Sequence, residues 1–263
     1  MKRGLTLPIF DELANPALLA QLAREAEEAG LDGVFVWDHV RYRKPVSAVT
    51  DPWIALAAIA CNTTRIAIGP MVTPLARRRP VVVARQVAAL DHLSGGRMIL
   101  GTGLGLDSSG GEFAPLGEEP DTRVRAEMYD EALVLLRALL SGGPVDVAGA
   151  HFQITGGVEF LPTPVQQHLP IWVAGRWPHR RPLLRASGQD GVFVIDLSPA
   201  ELADVRALIA EHRPNGLDGF DIVVHAPAGT DSAPWEEAGA TWCLTTFDPF
   251  AVTADAVRQA IRD

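Results

Sequence analysis

The sequence predicts a (β/α)8 TIM barrel that carries an insertion after its fourth strand and has a shortened second half. Short apolar runs rich in β-branched residues alternate with amphipathic segments of helical period, which is typical of parallel α/β proteins. Eight such runs occur, and eight strands close a barrel of this class. The predicted strands cover residues 4–10, 33–37, 65–72, 97–103, 170–175, 191–195, 220–226 and 240–247, and a terminal helix covers 253–262. Residues 1–263 are expected to form this single domain.

The helical segments between the runs begin with recognisable signals. Proline stands at the first helical position in three of them, at Pro16, Pro52 and Pro80, where its fixed φ favours the helical conformation. A long helix is predicted for residues 123–140, because apolar residues recur there at helical spacing. A short hairpin is predicted to follow it over residues 145–154.

The predicted strands are unevenly spaced. Residues 104–169 separate the fourth from the fifth, which predicts the insertion, whereas only residues 176–190 join the fifth to the sixth, which predicts the trimmed second half. Residues 29–38 resemble residues 187–196, as in a duplicated half-barrel. A third copy at residues 216–219 makes a common helix-to-strand turn an equally good interpretation.

The composition excludes several function classes. A formal net charge of −9 disfavours nucleic-acid binding, which needs a basic surface. No apolar stretch reaches the roughly 18 residues of a membrane span, so we expect a cytoplasmic protein whose partner is a small molecule. Of the 23 basic residues only Lys2 and Lys44 are lysines, which leaves Schiff-base chemistry almost no candidates. Cys61 and Cys243 lie in apolar segments and are predicted to be buried thiols, and no metal-ligand spacing occurs.

Candidate catalytic residues follow the strands, because the active site of such a barrel lies at the carboxyl ends of its strands. His39 comes directly after the second predicted strand and beside Asp38, where its imidazole can donate or accept a proton. His225 occupies the corresponding place at the seventh strand. A structural role explains either histidine equally well, so both interpretations stay open.

Two glycine-containing segments at strand ends suggest ligand binding. Gly101, Thr102 and Gly103 resemble part of a dinucleotide-binding fingerprint, but no helix follows them directly. These glycines are explained either by close approach of a ligand or by tight packing. Gly175 and Arg176 precede an arginine-rich helical segment, which predicts either a phosphate site or a solvated helix face.

Several longer segments occur in an order that marks a known family. The segments are residues 27–39, 65–69, 90–97, 101–103, 170–175 and 189–191. The most specific of them is LDHLSGGR at residues 90–97. Together they resemble the bacterial luciferase-like monooxygenase family, whose members are (β/α)8 barrels that use FMN or the deazaflavin F420.

The resemblance implies roles for particular residues. FMN is the expected cofactor, F420 is the alternative, and the ring would lie across the barrel mouth. The implied cofactor contacts are Asp38, Met71, Val72, Gly101, Thr102, Gly103, Ala174, Gly175 and Arg176. The family also implies a cis peptide bond between Met71 and Val72, a phosphate on Gly175 and Arg176, and proton transfer at His39.

The predicted function is that of an oxidoreductase acting on a small organic substrate, by monooxygenation with reduced FMN or by hydride transfer with F420. Leu106 stands where sugar-phosphate dehydrogenases of the family carry an acidic residue, which argues against their substrate. The alternative is a degenerate, non-catalytic barrel that binds a flavin or no cofactor. A phosphate-binding isomerase barrel ranks last, because no predicted strand ends in a glutamate base. The resemblance also implies a homodimer through helices over residues 52–61 and 80–93.

Overall fold

A parallel sheet curls into a nearly closed barrel in the computed structural model of the protein, which describes residues 1–262. The strands are β1 (Lys2–Leu7), β2 (Gly33–Val36), β3 (Ala67–Pro70), β4 (Thr73–Pro74), β5 (Leu100–Gly103), β6 (Pro144–Ala148), β7 (Gln153–Glu159), β8 (Ile171–Gly175), β9 (Gly191–Val194), β10 (Asp221–Pro227) and β11 (Trp242–Thr246). Within residues 1–262, nine of them form the barrel sheet in the order β3-β2-β1-β11-β10-β9-β8-β5-β4. The remaining two, β6 and β7, pair as an antiparallel hairpin.

Helices cover the outside of the barrel. They are α1 (Pro16–Glu28), α2 (Pro52–Asn62), α3 (Pro80–Ser94), α4 (Thr122–Leu140), α5 (Arg180–Ser187), α6 (Pro199–Glu211), α7 (Ala233–Glu237) and α8 (Ala254–Arg262). The first three begin at the prolines that the sequence marks, and Asn15 and Asp51 cap α1 and α2 through their side chains. No helix in the described part of the chain is long and apolar enough to cross a membrane.

The third barrel strand is divided into β3 and β4. The peptide bond between Met71 and Val72, which lies between the two pieces, is cis, as the family resemblance implies. Ile68 on β3 donates its N–H to Arg97 O at 3.0 Å and accepts from Ile99 N–H at 2.9 Å, while β4 pairs with β5. The two pieces therefore act as one strand, which makes eight barrel positions and confirms the predicted fold class.

The first predicted strand is longer than the observed one. It extends to Phe10, whereas β1 ends at Leu7. Pro8 has no amide hydrogen with which to continue the ladder, and Phe10 instead forms an isolated bridge with Val49. Phe10 is nevertheless fully buried, so its hydrophobicity reflects burial in a loop rather than a strand.

The two halves of the barrel carry connections of different length. The 19-residue helix α4 and the β6–β7 hairpin lie between β5 and β8. In the second half, α5 has only eight residues and α7 only five. The second half therefore has less chain to place around the barrel.

Both faces of the barrel strands are buried, which explains why the predicted runs are almost continuously apolar. Inside the barrel, the rings of Phe35, Trp172 and Trp242 pack with centroids 5.4 to 6.0 Å apart. The alternating residues Val34 and Val36 are buried in the outer core cluster. Because the interior is filled below the mouth, a ligand can reach the barrel only at the carboxyl ends of the strands.

Cys61 is exposed, contrary to its prediction, whereas Cys243 is buried. The outer face of α2 is also apolar, since Ile54 on the same helix is 61% exposed. An apolar sequence around Cys61 therefore does not place it in the core.

Candidate active site

The carboxyl ends of the barrel strands form a shallow floor. The residues at the last inward-facing positions line it. They are Thr6, Trp37, Val72, Gly103, Ala174, Ile195, His225 and Thr246. Thr6 and Gly103 are buried and the other six are half-buried, so this layer separates the closed core from solvent. Between Val72 and Ala174 the floor is apolar and built from small groups, because Gly103 lies between these two side chains.

The glycines of β5 make room for the cis peptide segment. A Cβ atom added to Gly101 would lie 2.3 Å from Pro70 O, and one added to Gly103 would lie 2.5 Å from Val72 Cγ2. Tight packing therefore explains both glycines. It also presses Val72 against the barrel so that its side chain forms part of the floor, whereas Met71 is buried in the barrel core.

Thr102 points away from the mouth. Its hydroxyl lies 2.7 Å from the Tyr129 hydroxyl on α4 and donates to Trp172 O at 3.1 Å. Adjacent residues of a strand face opposite sides, so an inward Gly101 and Gly103 require an outward Thr102. The Thr102 side chain is therefore engaged outside the barrel mouth, and the predicted cofactor contact of this residue could come only from its backbone.

His39 lies at the mouth and is paired with a buried carboxylate. Its Nδ1 is 2.7 Å from Glu112 Oε2, and the Glu112 side chain is only 1% exposed. Glu112 Oε1 accepts from Val40 N–H at 2.7 Å and from Arg77 at 2.6 Å. Burial disfavours ionisation of Glu112, but the hydrogen bonds with His39 and Val40 and the charge of Arg77 outweigh it and lower the Glu112 pKa.

Asp38 is buried below this pair and has no free oxygen for a cofactor. It accepts from the Thr73 hydroxyl at 2.8 Å, from Arg77 at 2.8 Å and from Arg78 at 2.8 and 3.0 Å. Arg77 thus bridges Asp38 and Glu112. These contacts occupy the acceptor sites of the Asp38 carboxylate and give it a structural role, and its cofactor contact stays a prediction.

An aromatic wall lies on one side of His39. We define it as Phe10, Trp37, Tyr42 and Phe250. Tyr42 stacks on Phe10 at 4.6 Å and lies edge-on to His39 at 5.0 Å. Burial also raises the pKa of Tyr42, so its hydroxyl stays protonated at neutral pH. The wall shields one side of the His39 imidazole from water.

On the opposite side of the mouth, Asp196 contacts both Arg176 and His225. The Asp196 carboxylate forms an ion pair with Arg176, and the backbone N–H of Asp196 donates to His225 Nε2 at 3.3 Å. Burial, assisted by the charge of Arg176, lowers the pKa of His225 to about 4. His225 is therefore neutral at physiological pH.

The loop after β8 only partly matches the predicted phosphate site. A Cβ on Gly175 would lie 2.8 Å from Leu183 Cδ2, so this glycine allows α5 to pack closely against the barrel. Arg185 forms an ion pair with Asp130 and lies over Tyr129, away from the mouth. Arg176 remains at the rim with a 44% exposed side chain.

The candidates from the sequence do not include three residues that pair with His39 or Asp38, namely Glu112, Arg77 and Arg78. Arg77 and Arg78 belong to a run of three arginines just beyond the third predicted strand, a signal that places them at the mouth. Glu112 lies in the middle of a glycine-rich loop, and it is 73 residues from His39 in sequence. Among residues 1–262, no group of three or more His, Cys, Asp or Glu side chains could hold a metal ion.

Comparison with known proteins yields one family match over nearly the whole chain. The family model described as luciferase-like monooxygenase matches residues 5–258. A similar protein from Kineococcus radiotolerans is named F420-dependent glucose-6-phosphate dehydrogenase. It is 34% identical over 62% of this chain and 48% of its own length. This chain thus spans about half the length of such relatives.

Two further similarities extend along the full chain. A protein from Mycobacterium tuberculosis, named F420-dependent hydroxymycolic acid dehydrogenase, is 32% identical over 98% of this chain and 69% of its own length. The solved structure of coenzyme F420-dependent tetrahydromethanopterin reductase from Methanopyrus kandleri superposes with a TM-score of 0.79. It covers 99% of this chain and 97% of that one at 18% identity, which supports the fold alone.

Proposed function

Since the chain belongs to the luciferase-like monooxygenase family, we propose that it is an oxidoreductase that uses coenzyme F420 in hydride transfer with a small organic substrate. The His39–Glu112 pair at the barrel mouth carries this proposal. Both sequence relatives described above are named as F420-dependent. Their names favour F420 as the cofactor, whereas the sequence alone favours FMN.

The mouth suits a planar cofactor. F420, when bound, supplies a ring that takes up or releases a hydride. Val72, Gly103 and Ala174 offer a flat apolar surface for one face of such a ring, because side chains at the glycine position are sterically excluded. Arg176 would pair with an acidic group of the cofactor. Its ion pair with the 62% exposed Asp196 is easily exchanged, since surface pairs contribute little stability.

His39 is poised to accept a proton from a substrate hydroxyl. An ionised Glu112 can only accept hydrogen bonds, so His39 must donate from Nδ1, and the neutral form of His39 then carries its lone pair on Nε2. The described residues give Nε2 no hydrogen-bond partner, and the side chain is 19% exposed at the mouth. Glu112 would stabilise the imidazolium that forms when Nε2 accepts a proton, and His39 would return this proton in the reverse direction.

Titration with cofactors tests this proposal. We expect F420 to bind with quenching of its fluorescence and to raise the melting temperature, because a ligand that binds only the folded state stabilises it. FMN and reduced FMN are titrated in parallel. Preferential stabilisation by reduced FMN would favour the monooxygenase alternative, and no response to any of the three would contradict an enzymatic role and favour a degenerate barrel.

A homodimer is part of the same proposal. The outward faces of α2 and α3 carry exposed apolar side chains, among them Ile54, Val82 and Leu93. Their spacing places them on solvent-facing stripes, and large exposed apolar patches mark interaction sites. We expect Ile54→Glu together with Val82→Glu to shift the protein to a monomer in size-exclusion chromatography with light scattering. The same double change at Val134 and Val158, which are exposed apolar positions outside α2 and α3, is the control, and equal masses for all variants would contradict the dimer.

A further inference from the structure

A cavity of about 310 Å³ opens at the carboxyl ends of β9, β10 and β11. It lies across the mouth from the Met71–Val72 peptide, because β10 is four positions away from β3 around the barrel. We call it the second-half pocket. Its lining residues are Asp196, Leu197, His225, Ala226, Pro227, Thr230, Trp235 and Thr246.

Most of this lining is apolar or uncharged. Leu197, Ala226, Pro227 and Trp235 offer hydrocarbon and ring surface, and the two threonines add neutral hydroxyl groups. A pocket with this lining gains free energy by removing apolar ligand surface from water. It also supplies a few hydrogen-bonding groups that can orient an oxygen atom of the ligand.

The charges at the pocket disfavour an anion. Asp196 is the one ionised side chain among the lining residues of the described chain, and its charge is negative. Arg176, the cation in contact with it, is already paired with the Asp196 carboxylate. A phosphate group in the pocket would therefore lie beside the Asp196 carboxylate, whether Arg176 pairs with Asp196 or with an acidic group of the cofactor.

His225 adds no positive charge. Its Nε2 accepts the Asp196 N–H at 3.3 Å, so the ring is in the neutral form that carries its proton on Nδ1. Its ring also packs against Phe193 with centroids 5.4 Å apart, which keeps this side of the imidazole in apolar surroundings. The histidine can therefore form hydrogen bonds with a neutral ligand but does not act as a counter-ion at neutral pH.

Arginines on the other side of the mouth are also engaged. Arg77 and Arg78 are bound to the buried carboxylates Asp38 and Glu112. Arg43 lies over the Phe250 ring at 5.0 Å. None of these three lines the second-half pocket.

We infer that the second-half pocket binds an uncharged, mainly apolar alcohol or ketone rather than a phosphorylated sugar. That this ligand is the substrate rests on the proposed function, whereas its binding does not require a cofactor. On this inference, the ligand of this chain differs from the glucose 6-phosphate for which one relative is named.

Ligand-observed saturation-transfer NMR on the purified protein without cofactor tests this inference, with cyclohexanone and glucose 6-phosphate as probes. We expect the Kd of cyclohexanone to be at least about tenfold lower than that of glucose 6-phosphate. Equal or tighter binding of glucose 6-phosphate, or no detectable binding of cyclohexanone, would overturn the inference.

A substitution at the exposed residue Thr230 localises the binding. Thr230→Arg places a cation at the pocket, so we expect glucose 6-phosphate to bind several-fold more tightly and cyclohexanone less tightly. Ala228→Arg is the matched control, because Ala228 is exposed on the same loop and does not line the pocket. Identical probe binding by both variants would place the ligand elsewhere and overturn the inference. Because no F420 is present, failure here is distinct from failure of the F420 titration.

Discussion

Two nearly identical stretches of sequence take opposite roles at the mouth. GVFVWD at residues 33–38 forms β2 and its end, and GVFVID at residues 191–196 forms β9 and its end. Both strands direct a phenylalanine into the barrel core. Asp38, however, is buried and accepts hydrogen bonds from Thr73 and two arginines, whereas Asp196 is exposed and adopts a positive φ of 54°.

Neighbouring segments cause this difference. In the first half, the turn after β4 brings Arg77 and Arg78 under the mouth, and the loop after β5 adds Glu112. In the second half, the corresponding aspartate pairs with the exposed Arg176 and lies at the edge of a cavity. The first half therefore contains a buried polar network, to which we assign proton transfer, and the second half contains an open pocket, to which we assign ligand binding.

The largest expected effect comes from removing a central arginine. Arg77→Ala leaves Asp38 and Glu112 buried with fewer counter-charges, so we expect a loss of about 3–5 kcal/mol in the free energy of unfolding. Arg176→Ala removes an exposed partner of Asp196 and should cost at most about 1 kcal/mol. Urea denaturation of both variants measures the two losses in the free energy of unfolding. Losses of similar size would contradict the expected difference between the buried and the exposed ion pair.

A smaller effect is expected from neutralising Glu112. In Glu112→Gln, the amide can donate to His39 Nδ1 and so favours the tautomer that has its proton on Nε2, which cannot accept another. We expect kcat with F420 to fall by about 10²-fold. The ¹⁵N NMR shifts of His39 should report the tautomer change, which a merely structural role would not produce.

The control for this substitution is Glu118→Gln in the same loop, which should leave both kcat and the His39 shifts unchanged. His39→Ala should lower kcat at least as much as Glu112→Gln, because it removes the proton acceptor itself. Full activity of Glu112→Gln, with the His39 tautomer unchanged, would remove Glu112 from the proton-transfer pathway.

The smallest expected effect is a difference in pH dependence between the halves. The pKa of His225 is about 4 in the folded protein and 6.5 for an ordinary histidine. Between these two pH values the unfolded chain therefore binds a proton at His225 that the folded chain does not bind. Stability should therefore fall by about 2 kcal/mol as pH drops from about 6.5 to about 4. His225→Gln should flatten this part of the curve in denaturant titrations, and an unchanged slope would contradict the assignment.

Glu112 acts in a lower pH window. Its folded pKa lies below the ordinary value of 4.5, so its contribution to stability is complete above that pH and is lost as pH falls through the folded value. A Glu112→Gln protein should lack this loss but keep the slope due to His225. The two substitutions thus separate the acid sensitivity of the first half from that of the second.

Much of the fold could be predicted because its signals are local. Apolar runs, proline at helix starts and the spacing between runs predict the order of strands and helices, and the position of His39 after β2 predicts its place at the mouth. Which side chains of a run point into the barrel is harder to predict. Because both faces of a barrel strand are buried, hydrophobicity does not distinguish the outward Thr102 from the inward Gly101 and Gly103.

The sequence by itself determined the barrel, the family resemblance and the catalytic face that carries His39, since these depend on local pattern and on strand polarity. Only the tertiary structure decided which partners these residues have. Glu112 reaches His39 across 73 residues, and Asp38 and Asp196 share their local sequence yet differ in burial. Burial and charge pairing depend on groups that the chain brings together from distant segments, and these groups set the distribution of charge at the site.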